Sequence, residues 1–422
     1  MVLAAAALAA FGVSLVNFAD GGGVDAQSAL TFLVFSLAFG ALLAGMRAWA
    51  PSAVPFLIPL AATISAVGFV TVYRLDRELA DLQRWWLLLG SGLAVLALYM
   101  MRSNGLDPLR RYRYLFLAAA VALLLLPLLP VSGPLPLHGL EVNGSRLWVR
   151  FDVGVRIQFQ PGEVAKLLLV VFLASFLAER QTALTVSNRH LGPIRLPEPR
   201  QLSPVVVAWA ASFAVLIYQR DLGASMLLFG VFIVMLYMAT NRFTYLTTGL
   251  LVFTGGVVLA YTRFAHVQRR VTAWLDPWSD YDDAGYQIAQ GMFAMGSGSL
   301  SGSGLGLGRP DLIPAAATDF VFAAVAEEMG LAGSIVVIAA YALLVATGFG
   351  IALRSRDLFR KLLAAGLTFV LGLQTILILA GVVRIMPVTG ITLPFMSYGG
   401  SSLLANFLLI ALLARVSHEE RT

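Results

Sequence analysis

The residues best suited to chemistry lie in one polar stretch, residues 269–319, of an otherwise apolar chain. The stretch holds a group of aspartates and a glycine-rich run at 296–308. A carboxylate can take a proton from an attacking hydroxyl, so an aspartate here is a candidate general base. From residue types alone, a solvated acidic turn explains the group equally well. The aspartates are Asp276, Asp280, Asp282 and Asp283.

A second group of ionisable residues lies at the ends of apolar runs, where charge is costly in a membrane. Glu163 and Lys166 are three positions apart, so a helix places both on one face. Such charges either pair and hold helices together or face a shared polar cavity, and their concentration on one side favours the cavity. The other members are Arg220, Asp221, Asp319, Glu327 and Glu328.

The composition indicates that the elements positioning these residues lie in a membrane. The chain has 422 residues, of which 59% are hydrophobic and 12% charged, whereas soluble domains carry about 25% charged residues. The lack of cysteine in the sequence excludes disulfides, thiol nucleophiles and thiolate metal sites. Four scattered histidines do not suggest a metal cluster. The net charge of +6 does not indicate nucleic-acid binding, because excess Lys and Arg mark cytoplasmic loops in membrane proteins.

Twelve apolar runs approach or reach the length of a transmembrane helix, which needs about 20 residues. The sequence therefore predicts an all-α, polytopic integral membrane protein. Run 320–352 exceeds one span and is predicted to tilt, kink or extend beyond the bilayer. The runs are 1–19, 28–49, 52–72, 85–101, 114–131, 164–178, 204–219, 222–240, 245–264, 320–352, 361–385 and 402–416.

The distribution of positive charge orients these spans. With both termini in the cytoplasm, inside segments hold 16 of the 29 Lys and Arg residues and outside segments hold 12, which agrees with the positive-inside rule. Segment 1–19 lacks Lys and Arg, so it is interpreted as a true span and not as a secretory signal. The polar motifs then gather on the outer face, at 131–163, 219–223, 265–319 and 386–402.

Five motifs in a fixed order carry a resemblance to a known family. They read "GSRLWVRFDVGVRIQFQPGEVAKL", "QRDLGAS", "DPWSDYDDAGYQIAQGMFAMGSGSLSGSGLGLG", "TDFVFAAVAEEMGLAG" and "MPVTGITLPFMSYGGSS". Together they resemble the SEDS family, the RodA, FtsW and SpoVE proteins of bacterial wall synthesis. The resemblance implies a ten-helix core at 51–418 with a large extracellular loop at 265–319. Two additional N-terminal transmembrane helices then occupy 1–50, and a cytoplasmic tail occupies 419–422.

The resemblance implies a peptidoglycan glycosyltransferase of the bacterial cytoplasmic membrane, acting in elongation or division. Such an enzyme polymerises lipid II into glycan strands at the outer face and releases undecaprenyl diphosphate. It also implies a class B penicillin-binding protein transpeptidase as partner. The rival hypotheses are a flippase for lipid-linked precursors and a non-catalytic scaffold. A flippase needs charges along a path across the membrane, whereas here the charged residues cluster on one side. A non-catalytic scaffold would not explain the presence of Asp280.

The same resemblance assigns roles to residues. Alignment on "GYQ" places Asp280 at the family's invariant loop aspartate and implies that it is catalytic. Asp276 aligns where relatives accept Asn and is interpreted as a turn residue, whereas Asp282 and Asp283 have no counterpart. The expected substrate-binding residues are Arg146, Trp148, Glu163, Lys166, Asp221, Glu327, Glu328, Ser397, Gly399 and Ser401.

The diphosphate leaving group needs positive charge. Arg146, Lys166 and Arg220 are candidates, and run 296–308 either approaches a diphosphate with bare backbone N–H groups or is a flexible loop. Mg²⁺ or Mn²⁺ is the expected cofactor, and carboxylate oxygens would bind it. Alternatively, those carboxylates hold the basic side chains in place. Trp148 and Trp278 either stack on sugars or lie at the membrane interface. The chain departs from the family pattern at Gly162, Arg220, Tyr281, Asp282, Asp283 and Ala317.

Overall fold

The computed structural model describes residues 1–130, 137–142, 145–153, 155–185, 189–191, 194–196 and 219–421, and also residues 206, 210 and 214. The helices in this part of the chain are α1 (Val2–Ala19), α2 (Ala26–Trp49), α3 (Leu57–Leu75), α4 (Arg77–Asn104), α5 (Asp107–Arg111), α6 (Arg113–Leu125), α7 (Pro161–Thr185), α8 (Leu222–Thr240), α9 (Phe243–Arg263), α10 (Ala265–Leu275), α11 (Tyr286–Gly298), α12 (Val321–Arg354), α13 (Leu358–Val382) and α14 (Gly400–Glu419). Ten of them are long and apolar enough to span a membrane. This confirms the predicted all-α, polytopic class.

Two of the twelve predicted spans are not among these ten. Run 114–131 forms α6 and then a single 3₁₀ turn, Leu126–Leu128. Pro127 lies in that turn and has no backbone N–H to continue the α-helical hydrogen bonds, so the helix is shorter than a span. Most of run 204–219 lies outside the described residues. The number of spans in the described part of the chain is therefore ten, and the predicted twelve is approximate.

A small antiparallel sheet, which the sequence did not predict, precedes α7. Its strands β1 (Leu137–Val142), β2 (Ser145–Val153) and β3 (Val155–Phe159) pair in chain order. The sheet carries two expected substrate-binding residues, Arg146 and Trp148, on β2. Separately, β4 (Arg189–Leu191) pairs antiparallel with β5 (Ile194–Leu196).

The chain forms two compact units that interleave along the sequence. The first unit contains residues 1–100, 258–347 and 371–414. Its core holds a chain of contacting aromatic rings, all fully buried. Glycines allow close packing around this core, since a Cβ at Gly90 would meet the Phe407 ring at 2.5 Å. The contacting rings are Phe35, Phe39, Phe69, Phe395 and Phe407.

The second unit contains residues 101–257, 348–370 and 415–422. Helices α6, α7 and α8 pack around an apolar cluster of Ala120, Leu124, Ala165, Leu169 and Leu228. Helix α8 begins at a side-chain cap, because the Asp221 carboxylate accepts a hydrogen bond from the Ala224 amide at 2.9 Å. It ends where Asn241 adopts a left-handed conformation, with φ of 53°.

Helix α12 is broken inside the long run that was predicted to tilt, kink or extend. Gly330 has φ of 65° and ψ of −167°, a conformation that residues with a Cβ rarely adopt. The break divides α12 into a short segment that carries Glu327 and Glu328 and a longer segment that starts at Leu331. The kink is therefore confirmed, and it leaves backbone groups on both sides that need partners outside the helix.

Candidate functional site

An acidic turn in the first unit connects α10 to α11 and carries all four loop aspartates. The carboxylate of Asp276 accepts a hydrogen bond from the Trp278 amide at 3.1 Å, and its carbonyl accepts one from the Ser279 hydroxyl at 2.8 Å. Asp276 is thus a turn residue, as the sequence indicated. Asp283 forms an exposed ion pair with Arg269 of α10, which ties the far side of the turn to that helix.

Asp280 lies at the exposed tip of this turn. Its backbone carbonyl accepts hydrogen bonds from the amides of Gly285, at 2.9 Å, and Asp283, at 3.3 Å. Gly285 is buried, and a Cβ there would overlap the Pro277 carbonyl oxygen and stand 2.9 Å from that of Asp280. The backbone is therefore held in place while the carboxylate is presented to solvent.

Aromatic side chains form one side of the turn. Trp278 stacks on Tyr281 with ring centroids 6.2 Å apart and an angle of 12° between the planes. Phe293 packs against Trp278, and Tyr286 packs edge-on against Tyr281. Trp278 is 50% exposed, so its flat ring is accessible to solvent. It lies two residues before Asp280 in the chain. The sequence pointed to Trp278 but not to its partner Tyr281, which stood out only as a departure from the family pattern.

Helix α10, which leads into the turn, is held at its C-terminal end by Arg384. The guanidinium donates to the carbonyl oxygens of Trp274, at 2.8 Å, and Leu275, at 2.7 Å. In return, the Trp274 indole donates to the Arg384 carbonyl at 3.1 Å. These bonds satisfy carbonyls that a helix end leaves without partners. Arg384 has φ of 60°, a left-handed conformation that non-glycine residues adopt only where surrounding contacts enforce it.

Arg384 was not among the residues predicted from the sequence. The only signal in the sequence was an arginine near the end of the apolar run 361–385, two residues before the motif that begins at residue 386. That signal is weak. A cavity of about 570 Å³ lies beside this arginine, lined by Trp274, Leu275, Met292, Met295, Val383 and Arg384.

Another arginine of α10, Arg270, hydrogen-bonds to the segment that follows Arg384. Arg270 donates to the carbonyls of Val388, at 3.2 Å, and Thr389, at 3.0 Å. Asp319 lies close by, since a Cβ at Gly390 would stand 3.6 Å from Arg270 and 3.9 Å from the Asp319 carboxylate. Burial raises the pKa of Asp319 to about 6, and the Arg270 charge and a hydrogen bond from Thr318 oppose that rise.

The raised pKa of Asp319 predicts a pH dependence of stability. An acid whose pKa is raised on folding stabilises the fold below its unfolded pKa, and this stabilisation is lost as pH rises through about 6. The thermal midpoint of the wild type should therefore fall between about pH 4 and pH 7 relative to Asp319→Asn, which stays neutral. Thermal unfolding in detergent across this range checks it. Parallel pH profiles for both proteins would contradict the assignment.

The glycine-rich run supplies partners for the broken helix α12. The amides of Ser303 and Gly304 donate to the carbonyls of Glu327, at 2.9 Å, and Glu328, at 3.0 Å. Beyond the break, the amides of Leu331 and Ala332 donate to the carbonyls of Ser299, at 2.9 Å, and Leu300, at 3.1 Å. The run is an ordered cap for a helix interruption, so these two amides, Ser303 and Gly304, are not open to a diphosphate.

The carboxylates of Glu327 and Glu328 are buried next to this run. Glu328 forms an ion pair with Arg74 at 3.2 Å, and Arg74 also donates to the Gly308 carbonyl at 3.2 Å. One oxygen of Glu327 accepts from the Arg309 amide at 2.8 Å. Its other oxygen, Oε2, is buried and has no hydrogen-bond partner within the described residues. A buried, half-satisfied carboxylate is costly and is a functional candidate.

The motif 386–402 is mostly buried. The Ser397 hydroxyl donates to the Thr318 carbonyl at 2.5 Å and accepts from the Leu393 amide at 2.9 Å. The Tyr398 amide donates to the Ala317 carbonyl at 2.8 Å. Ser401 and Gly399 are also buried. These contacts join the motif to the segment before α12, so Ser397 supports that segment from within the protein.

The remaining expected site residues lie in the second unit. Lys166 and Glu163 form a buried ion pair at 2.7 Å on α7, which confirms that they share a helix face. Asp221 is buried and caps α8. Arg220 beside it is exposed with φ of 60°. On the sheet, Arg146 pairs with Glu141 at 3.0 Å, and Trp148 lies opposite Leu140.

Comparisons with known proteins agree with the motifs. A model of the cell cycle protein family FtsW/RodA/SpoVE matches residues 47–422. The peptidoglycan glycosyltransferase RodA of Mycobacterium tuberculosis is 40% identical over 399 residues, covering 92% of this chain and 83% of that protein. Stage V sporulation protein E of Bacillus subtilis is 33% identical over 337 residues, covering 79% of this chain and 86% of that protein.

Solved structures show the same relationship. The crystal structure of Thermus thermophilus rod shape determining protein RodA matches with a TM-score of 0.60 and 27% identity, covering 88% of this chain and 98% of that one. A chain from a peptidoglycan synthase complex that coordinates polymerization and crosslinking matches with a TM-score of 0.68 and 28% identity, covering 87% of this chain and 98% of that one. With the motifs, the helices and the sequence identity in agreement, this chain belongs to the FtsW/RodA/SpoVE family, the SEDS family of multi-pass membrane peptidoglycan glycosyltransferases.

Proposed function

We propose that this chain polymerises lipid II into glycan strands and that the carboxylate of Asp280 is its general base. The observation that carries the proposal is the exposed carboxylate of Asp280 on a turn whose backbone is held by Gly285. The family relationship supports the class of reaction. The geometry of the turn supports the choice of residue.

The reaction needs one proton acceptor. The 4-hydroxyl of one disaccharide attacks C1 of another, and a C1–O bond forms as the bond from C1 to the diphosphate oxygen breaks. The hydroxyl proton moves to the Asp280 carboxylate, and undecaprenyl diphosphate leaves with the bonding electron pair. A single displacement inverts C1 without a covalent intermediate, so one base suffices. General-base catalysis of this kind is worth about 10²- to 10⁴-fold in rate.

The aromatic surface beside Asp280 suits the sugar rings of the substrate. Trp278 is half-exposed, Tyr281 stacks on its ring, and Phe293 packs against it at an angle of 48°. A flat aromatic face gives a large apolar contact with little conformational freedom to lose. We assign Trp278 to sugar positioning and Tyr281 to bracing it. Gln290 supports this brace because its side chain donates to the Tyr281 hydroxyl at 3.2 Å.

A divalent cation is the proposed cofactor for the leaving diphosphate. No group of three or more acidic or histidine side chains that could hold a metal occurs among the described residues. Mg²⁺ commonly uses only one or two carboxylates together with substrate phosphates, and the unpartnered Glu327 Oε2 fits that use. When bound, the cation would neutralise charge on the diphosphate. Chelation should lower polymerisation and added Mg²⁺ or Mn²⁺ should restore it; an unchanged rate in chelator would exclude the cofactor.

The family and the charge distribution support a proposed location and partner. The apolar helices and the excess of Lys and Arg on one side support a bacterial cytoplasmic membrane protein with Asp280 at the outer face. One similar structure is a synthase complex that coordinates polymerization with crosslinking. We therefore propose a class B penicillin-binding protein as the partner that cross-links the new strand.

The proposed reaction is tested by glycan polymerisation from purified lipid II. The purified protein, supplied with lipid and a divalent cation, should make strands, with a higher yield when its transpeptidase is added. Gel separation of the glycan products measures strand formation. No product under any of these conditions, together with translocation of lipid II across vesicles, would replace the polymerase by a flippase.

Cysteine labelling tests the proposed orientation. The native chain has no cysteine, so a single introduced cysteine reports its own position. Cysteines in 265–319 should react with a membrane-impermeant reagent added outside intact cells, whereas cysteines in 103–113 and 179–203 should react only after the membrane is opened. Labelling from outside at residue 189 would reverse the topology and move Asp280 to the inner face.

A further inference from the structure

We propose that the N-terminal hairpin α1–α2 is a positioning element of the glycosyltransferase. The C-terminal end of α1 holds the glycine-rich run at Gly306, and the run in turn orients Glu327 and Glu328. The family match begins at residue 47, so α1 and nearly all of α2 lie before it. The functional part of this inference rests on the proposed function, in which Glu327 binds a divalent cation, and on the expected substrate-binding role of Glu328.

The contact between α1 and the run occurs at Gly306. A Cβ on Gly306 would stand 2.6 Å from the Ala19 Cβ and 3.5 Å from the Val16 Cα. Carbon atoms at 2.6 Å overlap, so the backbone of the run lies directly against α1. Gly306 also has φ of 82°, which favours glycine there. The run and α1 therefore form a close-packed backbone contact that has no room for a side chain.

Polar bonds set the position of the hairpin on α3 and α4. The Tyr73 hydroxyl donates to the buried Asn17 side chain at 3.0 Å. The buried Arg84 guanidinium donates to Gln27, at 2.7 Å, and Thr31, at 3.1 Å. Buried hydrogen bonds are costly to leave unmade, so they favour one rotation and depth of each helix. These hydrogen bonds therefore fix the position of the C-terminal end of α1 next to the glycine-rich run.

The run transmits this position to the two carboxylates. Two residues before Gly306, the Gly304 amide donates to the Glu328 carbonyl at 3.0 Å. Arg74 follows Tyr73 on α3 and contacts both Glu328 and the Gly308 carbonyl, each at 3.2 Å. A shift of α1 at Gly306 therefore acts on Glu328 through its backbone and through its ion-pair partner Arg74.

Three variants separate this contact from general strain. Gly306→Ala adds a methyl group that overlaps Ala19. The double variant Gly306→Ala, Ala19→Gly removes the atom that it overlaps and keeps the strained φ. Gly21→Ala is the matched control, because Gly21 has φ of 81° and an added methyl group there would meet no atom within 4 Å. Tyr73→Phe is a fourth variant that loosens the hairpin without adding an atom, in case Gly306→Ala does not fold.

Two measurements are made on each full-length protein: hydrogen exchange at the Ser303 and Gly304 amides, and the rate of strand formation from lipid II. In Gly306→Ala, exchange should rise about tenfold or more because the cap of α12 opens locally. Polymerisation should fall about 10- to 100-fold, the scale expected when a site is displaced by about 1 Å. The double variant should recover both properties, and Gly21→Ala should retain both. Tyr73→Phe should shift both in the same direction as Gly306→Ala, by less.

The outcomes separate this inference from the proposed role of the carboxylates. Unchanged exchange in both Gly306→Ala and Tyr73→Phe would overturn the inference, and so would a loss in Gly306→Ala that Ala19→Gly fails to recover. A third outcome is that exchange is faster in Gly306→Ala and recovers in the double variant, while polymerisation is unchanged. This outcome would support the contact between α1 and the run. It would overturn the role of Glu327 and Glu328 in the reaction.

Discussion

Asp280→Asn is expected to lower polymerisation by about 10²- to 10⁴-fold, the range for loss of a general base. Asparagine has nearly the same shape and cannot accept the hydroxyl proton. The Asp280 backbone bonds to Gly285 and Asp283 do not involve the carboxylate, so the turn should persist. An exposed carboxylate contributes little to stability, so thermal unfolding should not change. Strand formation from lipid II measures the loss, with binding of the partner transpeptidase as a check on folding.

The other three loop aspartates are the controls. Asn at position 276 keeps the oxygen that accepts from the Trp278 amide. Asp283→Asn removes an exposed ion pair with Arg269, worth about 0–1 kcal/mol, and Asp282 is exposed. All three variants should polymerise near the wild-type rate. An active Asp280→Asn with one inactive control would identify a different loop base, and four active variants would move the base to Glu163 or Glu327.

Gly285→Ala is expected to lower polymerisation by about 100-fold, the loss typical of a catalytic group displaced by about 1 Å. The added methyl group would overlap the Pro277 carbonyl and press on that of Asp280. Gly285 has φ of −81°, which alanine adopts freely, so the effect is steric and not conformational. The turn must open to admit the methyl group, which moves Asp280 relative to Trp278. Strand formation measures the effect.

Gly296→Ala is the matched control for this prediction. Gly296 lies in α11, the same helix that Gly285 precedes, and has no atom within 4 Å of an added Cβ. Alanine in a helix interior is favoured over glycine by about 1 kcal/mol, so this variant should be at least as stable as the wild type and equally active. Wild-type activity in Gly285→Ala would show that the tight turn does not position the base.

The sequence predicted the features that depend on local composition. Apolar runs identify spans because every span must be apolar over its own length, and ten of the predicted twelve are apolar helices of spanning length in the described part of the chain. The shared helix face of Glu163 and Lys166 followed from helical spacing alone, and the structure shows that the two side chains form an ion pair there. The length of run 320–352 allowed a tilt, a kink or an extension beyond the bilayer, and the structure shows a kink at Gly330.

Features that join distant segments required the tertiary structure. The sequence left the glycine-rich run either as a diphosphate-binding loop or as a flexible loop. In the structure, its Ser303 and Gly304 amides donate to the carbonyls of Glu327 and Glu328. Arg384 belonged to no motif, yet it holds the helix end that leads to Asp280, 109 residues away from its bonded partner Leu275 in sequence. The small sheet before α7 was likewise not predicted.

The sequence by itself determined the membrane class and the family, and the family motif singled out Asp280 as the proposed base. Hydropathy and motif identity are properties of residues in order along the chain, so they can be read without a fold. Only the tertiary structure decided which backbone groups cap the broken helix, which side chains hold the turn, and where α1 touches the glycine-rich run. A buried N–H or carbonyl must find a partner somewhere, and which one it finds depends on the packing of segments that are far apart in sequence.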